Sequence, residues 1–226
     1  MKIVKRMAAG IVHEIRNPVT VIKGYINLLK DSISQKHFDT IYTQINMIEQ
    51  LMDGLELLAK YDHTETMELN NIEVSSFIRT CFEEINPILE AAQISIEIKC
   101  EYNHKIQCEE KLIHLLIVNL LLNAVDSMTV GGVVSIKVGE YEQDYVHIQI
   151  EDTGTGISLE RLPYLGQPFF STQEKGFGMG IMLCRTIVQK HYGSLSFYTT
   201  IDKGTNVNIT LPKIQPLITK TPRILH

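Results

Sequence analysis

The chain lacks paired cysteines, long apolar runs and any excess of positive charge, and each absence removes a class of protein. Its four cysteines, Cys81, Cys100, Cys108 and Cys184, are widely spaced with no CxxC pair. That spacing argues against a disulfide framework or a thiolate metal cluster and fits reduced thiols in a cytoplasmic protein. No stretch approaches the roughly 20 apolar residues of a membrane span. The strongest candidate, 112–125, is short and interrupted by Asn119 and Asn123. Residues 1–6 are basic, but no long apolar segment follows, which argues against a signal peptide. A net charge of −5 gives no electrostatic reason to bind nucleic acid or to contact an anionic membrane. What is present is 226 residues, 44% hydrophobic and 21% charged, enough for one large domain or two small ones. The expectation is a cytoplasmic segment, with any membrane anchor of a longer parent lying outside it.

Periodicity divides the chain. Val4, Ala8, Ile11, Ile15, Pro18, Ile22, Tyr25 and Leu29 recur by alternate steps of four and three, the seam of a coiled-coil-like helix. After a polar turn at 31–36 the same spacing returns through Ile41, Ile45, Ile48, Met52, Leu55 and Ala59. Two such helices predict an all-α hairpin over 1–63. A lone hairpin leaves its apolar stripes uncovered; pairing two into a four-helix bundle buries them, so a homodimer is expected. Residues 64–71 are polar and read as a linker.

From 72 to 212 the periods mix. The spacing predicts a helix over 74–92, with Pro87 expected to kink or break it. Ile94, Ile96 and Ile98 alternate as a strand, 112–128 is helical, and Val134, Ile136, Val138 with Val146, Ile148, Ile150 form a hairpin. A Gly-rich stretch over 152–180 precedes a helix from Met179 to about His191, and strands at 195–200 and 206–211 end at Pro212. This order predicts an α+β sandwich, helices on one face of a mixed sheet. Residues 213–226 read as a poorly ordered tail.

His13-Glu14-Ile15-Arg16-Asn17-Pro18 lies inside the first helix. His13 sits about 200° round from the seam residue Ile11, at about 100° per residue, and therefore points outward. A nucleophilic imidazole needs that exposure to meet a donor carried elsewhere, and it attacks through a neutral nitrogen. The adjacent Glu14 carboxylate can take the proton from the other ring nitrogen. Pro18 clashes with the Glu14 carbonyl and bends the helix just past His13. A surface His-Glu pair is common by itself; the whole string within a heptad-patterned hairpin is not.

Farther on, Asn119 and Asn123 stand four residues apart on one face of an apolar helix that continues to Asp126. Amide oxygens are hard, neutral ligands that suit Mg²⁺ bridging phosphates, and buried asparagines need partners. Capping or solvent exposure is the competing reading for such a pair. Asp152-Thr153-Gly154-Thr155-Gly156 directly follows a strand. Its carboxylate can accept from an adenine amino group, and its glycines let backbone lie close to a ligand. Gly176-Phe177-Gly178-Met179-Gly180 opens a helix whose N–H groups form an anion site. It is neither a Walker loop, lacking Gly-Lys-Ser/Thr, nor a dinucleotide fingerprint, lacking an immediately preceding strand. Roughly twenty residues containing Pro163, Gly166 and Pro168 separate the clusters, long enough for a mobile lid.

The histidine string resembles the H-box of sensor histidine kinases and matches its typical form throughout. In the same order, the later clusters resemble the N, G1 and G2 boxes of the histidine kinase ATP-binding domain, the Bergerat (GHKL) fold shared with gyrase and MutL. Pro168-Phe169-Phe170-Ser171-Thr172 is similar to the F box, and Lys203-Gly204-Thr205 to the final glycine motif. The resemblance covers about 5–212, and in general texture the chain is similar to sporulation-type kinases. It implies autophosphorylation of His13 by ATP with Mg²⁺, Glu14 as base, and Asn119 and Asn123 at the metal. The implied nucleotide site comprises Asn119, Asn123, Asp126, Asp152, Gly154, Gly156, Lys175, Gly176, Gly178, Gly180 and Thr205. It further implies transfer to an aspartate of a response regulator receiver domain, with Asn17 positioning water for dephosphorylating the regulator. Exposed helical surface at the hairpin base is available to an inhibitory protein. The pattern departs at Gln173, which removes a lid cation that Lys175 could replace, and at Phe177, Met179 and Ile181. A degenerate kinase, a dimeric phosphotransfer or interaction module without ATP turnover, is the alternative. The intact Asn, Asp and Gly positions speak against it.

Overall fold

The computed structural model describes residues 18–22, 24, 25, 28, 67–100, 103–128, 131–167 and 180–216. Residues 67–165 and 180–216 belong to one compact unit, and 18–28 with 166–167 to another. In the latter, Pro18–Ile22, Gly24, Tyr25 and Leu28 are helical. Pro18 is buried and Ile22 and Tyr25 are half-buried, whereas Thr20, Val21, Gly24 and Leu28 are exposed. The seam positions Pro18, Ile22 and Tyr25 are thus buried or half-buried, and the adjacent Val19 is half-buried as well. His13, Glu14, Asn17 and most of the hairpin lie outside the described residues.

The larger unit begins with β1 (Asn70–Glu73) and α1 (Val74–Ala92). Val74, Ile78, Cys81, Phe82, Ile85 and Leu89 recur every three or four residues and form the buried stripe of α1. The helix stops at Gln93, whose left-handed φ of 57° lets its N–H return to the Glu90 carbonyl. Of the kink or break expected at Pro87, the break does not occur: α1 runs through it. Asn86, Pro87 and Ile88 are exposed, so the Glu83 carbonyl that loses its helical donor can be hydrated.

Five strands form the main sheet in the order β2-β4-β5-β7-β6, where β2 is Ile94–Cys100, β4 Gly132–Tyr141, β5 Tyr145–Asp152, β6 Ser194–Thr200 and β7 Gly204–Pro212. The β2–β4 pair is parallel and the other pairs are antiparallel. Parallel neighbours need a crossover, and α2 (Glu110–Asp126) lies within it. Alternation places Val134, Ile136, Val138, Val146, Ile148, Ile150, Val207, Ile209 and Leu211 in the core. Each contributes roughly 1.5–3 kcal/mol by leaving water. The opposite face carries Lys137, His147, Gln149 and Asn208, with the His147 ring 2.9 Å from Asn208 Oδ1. Packed against α1, α3 (Gly180–Lys190) and the sheet, α2 is buried nearly all round. Asn119 and Asn123 therefore interrupt an apolar surface rather than decorate a wet one.

A second, two-stranded sheet pairs β1 with β3 (Lys105–Cys108). The sequence reading missed it because strands this short bury only Ile72, Ile106 and Cys108 and show no legible alternation. The segment after Pro212, read as poorly ordered, starts out tied to this sheet. Gln107 N–H donates to the Lys213 carbonyl at 2.9 Å, and Gln215 Nε2 donates to the Gln107 carbonyl at 2.9 Å. Residues 217–226 lie outside the described residues. All four cysteines are free thiols. Burial pushes the thiols of Cys81, Cys108 and Cys184 up to about 12, which makes them unreactive core side chains.

Candidate functional site

Two helices and one strand end converge. On α2, Asn119 Nδ2 donates to the Leu115 carbonyl at 2.8 Å, which fixes the amide and leaves Oδ1 turned outward. Gly180, the first residue of α3, packs there: a Cβ on Gly180 would stand 3.1 Å from Asn119 Oδ1 and 3.8 Å from Asn123 Nδ2. Asn123 Nδ2 is buried without a partner among the described residues. An orphaned buried donor costs roughly 1–3 kcal/mol unless a ligand supplies the acceptor. A helix start at Gly180, the first described residue of α3, adds a partial positive charge beside it. Together they suit an oxyanion, and the Asn119 oxygen, unpartnered among the described residues, suits a hard cation accompanying that anion. Asp126 returns to the same face of α2, seven residues after Asn119. It is exposed, although the protein around its carboxyl still raises it above the usual carboxylate range.

Asp152 closes β5 and is buried. Its Oδ1 accepts the Gly154 N–H at 2.9 Å and the Thr205 N–H at 3.2 Å, and it lies 3.0 Å from the Ser127 hydroxyl, whose single hydrogen also has the Ala124 carbonyl at 2.7 Å. All three contacts end on Oδ1, so among the described residues Oδ2 is left as an acceptor for an incoming N–H. Burial raises the carboxyl, and the three contacts pull it partly back toward the ionised form. The loop after Asp152 is pinned to the β6–β7 turn. Ile157 N–H donates to Thr199 Oγ1 at 2.8 Å and Asp202 N–H to the Thr155 carbonyl at 2.9 Å. Gly156 is required here: its φ is +68°, and a Cβ would overlap the Thr200 carbonyl oxygen.

A cavity of about 460 Å³ touches this site at Asp152 and Thr205. Its walls include Glu151, Tyr198 and Asn206, which point to the opposite face of the sheet from Asp152 and Thr205. It wraps round the strand ends and does not reach the asparagines, so it is not a closed base pocket.

Of the residues singled out in the sequence, Asn119, Asn123 and Gly180 meet at one point, and Asp152, Gly154 and Thr205 meet at another. Lys175, Gly176 and Gly178 lie outside the described residues. Sequence reasoning missed Ser127 and Thr199, whose hydroxyls lock the Asp152 loop. It also missed His191, a wholly buried polar side chain. Only position could have flagged Ser127, since it follows α2 directly; Thr199 sits in an unremarkable strand.

Residues 108–215 match the family described as histidine kinase-, DNA gyrase B-, and HSP90-like ATPase, and residues 3–64 match the His Kinase A (phospho-acceptor) domain. The chain belongs to the histidine kinases. The first match contains every described residue of the site above, and the second contains His13, Glu14 and Asn17. This histidine kinase core is similar to sporulation kinase A of Bacillus subtilis (strain 168), with 34% identity over 220 residues, 94% of this chain and 35% of the relative. The chain spans about a third of the length of such curated relatives. Among solved structures it is similar to Acinetobacter baumannii histidine kinase AdeS, with TM-score 0.73 and 18% identity over 89% of this chain and 98% of that one. It is also similar to histidine kinase ThkA in complex with response regulator protein TrrA, with TM-score 0.71 and 20% identity over 94% of this chain and 62% of that one. Likeness at such identities concerns the fold, and the fold of 67–216 is the α+β GHKL sandwich.

Proposed function

We propose that this histidine kinase core binds ATP between α2, the start of α3 and Asp152, and transfers the γ-phosphoryl group to His13. The observation that carries the reading is the meeting of Asn119, Asn123 and Gly180, an anion-ready helix start beside an orphaned amide and an amide oxygen unpartnered among the described residues. Asp152 Oδ2 takes the adenine amino group, with Gly154 and Gly156 lying under the base. Asn119 and Asn123 hold Mg²⁺, which neutralises phosphate charge when bound. Lys175, Gly176 and Gly178 complete the phosphate cradle. In the transfer, a neutral ring nitrogen of His13 attacks phosphorus in line. The P–N bond forms as the bond to the ADP oxygen breaks, and the proton on the other ring nitrogen passes to Glu14. Positioning and electrostatics supply most of the rate.

The phosphohistidine then passes its group to an aspartate of a response regulator, and Asn17 places the water that later hydrolyses the regulator's phosphoaspartate to inorganic phosphate. A regulator fits because the solved relative ThkA is bound to response regulator TrrA. The apolar seam of 1–63 is closed by a second copy, giving a homodimeric four-helix bundle.

Mixing His13→Gln chains with Asn123→Ala chains tests the separation of acceptor from donor site. Each variant alone is expected to take no label from γ-³²P-ATP, and a mixed dimer takes label if transfer crosses between chains. Self-labelling by either variant contradicts the proposal.

A further inference from the structure

His191 follows α3 directly and has no exposed surface. Its Nδ1 lies 2.8 Å from the Ile187 carbonyl, which can only accept, so Nδ1 carries a hydrogen. Its Nε2 lies 3.1 Å from the Glu109 N–H, which can only donate, so Nε2 carries none. The two contacts together specify one neutral tautomer. They also join two helix ends, because Ile187 is in the last turn of α3 and Glu109 is the N-cap of α2. That cap receives no hydrogen bond from its own side chain. The Glu109 carboxylate instead accepts the Glu68 N–H at 2.8 Å, and it is the charged group whose field reaches the ring.

The same helix pair carries the nucleotide site at its other end. Gly180 meets Asn119 and Asn123, Cys184 Sγ approaches the Leu116 carbonyl at 3.9 Å, and His191 meets Glu109. Contacts that ascend along α3 descend along α2, so the helices are antiparallel. From Asn119 back to Glu109 is about 15 Å, and from Gly180 to His191 about 16 Å, at 1.5 Å per residue. The spans match, so a hydrogen bond at the His191 end sets the alignment at the Gly180 end. Packed helices have discrete alignments, and a slip at one end moves the other.

We propose that His191 is a positioning residue for the nucleotide site: its Nδ1–H tautomer clasps the C-terminus of α3 to the N-terminus of α2 and so fixes the alignment in which Gly180 meets Asn119 and Asn123. The proposal rests on that site binding ATP. Losing the acceptor at Nε2, by substitution or protonation, leaves the part-buried Glu109 N–H unpaired and frees the helices to shift. Burial lowers the basicity of the ring and keeps the clasp closed at neutral pH.

The test is Mg²⁺-ATP binding by the full 226-residue chain. His191→Gln retains an acceptor for Glu109, whereas His191→Leu fills the space without one. With both folded by circular dichroism, ATP affinity is expected to fall about tenfold in His191→Leu and to stay within about threefold of wild type in His191→Gln. Equal affinities in the two variants overturn the proposal. A wild-type chain that does not bind ATP overturns the reading of the site instead. Should His191→Leu not fold, the wild type decides. Imidazole ¹⁵N shifts should show the Nδ1–H tautomer at neutral pH, and ATP affinity should fall as the imidazolium of His191 appears on acidification. An Nε2–H tautomer, or an affinity indifferent to that titration, overturns it.

Discussion

The start of α3 touches the polar face of α2 with no side chain between them, because a Cβ on Gly180 would lie only 3.1 Å from Asn119 Oδ1. That oxygen is held by an amide whose other end is bonded to the Leu115 carbonyl, so it cannot easily give way. Gly180→Ala should therefore push the start of α3 away from it. The methyl group favours the helix by up to about 1 kcal/mol, but the close approach to an oxygen that does not yield offsets that gain, so thermal stability should stay level or fall slightly while ATP affinity falls by about three- to tenfold. Calorimetric titration and a melting curve on the same sample read both. Unchanged affinity would mean that Asn119 does not face the nucleotide.

Asp152 offers a sharper separation of fold from binding. In Asp152→Asn the amide oxygen can still accept from Gly154, Ser127 and Thr205, while a donor replaces Oδ2. The melting temperature should change little, and ATP affinity should drop at least about tenfold because an acceptor for the adenine amino group is gone. Asp152→Ala removes all three bonds and should lower stability by about 2–4 kcal/mol as well. A urea titration beside ATP binding distinguishes the variants.

Stability should also depend on pH through His191. Its folded-state basicity is lowered by burial from the ordinary 6.5, so between that value and the lower folded value the unfolded chain binds more protons. The contribution is complete above pH 6.5 and is lost as pH falls toward the folded value. Asp152 and Asp126, both raised, work in the opposite direction at lower pH, since the folded chain holds the extra protons there. The urea midpoint of the wild type should therefore fall faster than that of His191→Gln as pH is lowered from 7 through the His191 window. Parallel curves would contradict the placement of the ring.

Most of the larger unit was legible because its elements carry long, clean periods. The alternation of Val134, Ile136 and Val138 and the three-four stripe of α1 each name one structure. Strands β1 and β3 were not legible, since Ile72 and Ile106 stand nearly alone and their pairing is decided by distant neighbours. Kink and break could not be told apart at Pro87 for a related reason: whether a proline breaks a helix depends on whether the freed carbonyl faces water, a tertiary fact. At the site, Asn119, Asn123 and Asp152 stood out as polar residues in or beside apolar segments. Ser127, Thr199 and His191 did not, because their importance lies in which distant backbone group each one meets.

The most direct measurement is acid-labile ³²P incorporation from γ-labelled ATP into the wild-type chain and into His13→Gln, with ATP affinity determined for both. The expected result is label in the wild type, none in His13→Gln, and the same ATP affinity in each. Label that survives His13→Gln, or that resists acid, would contradict phosphoryl transfer from the α2–α3 site to His13.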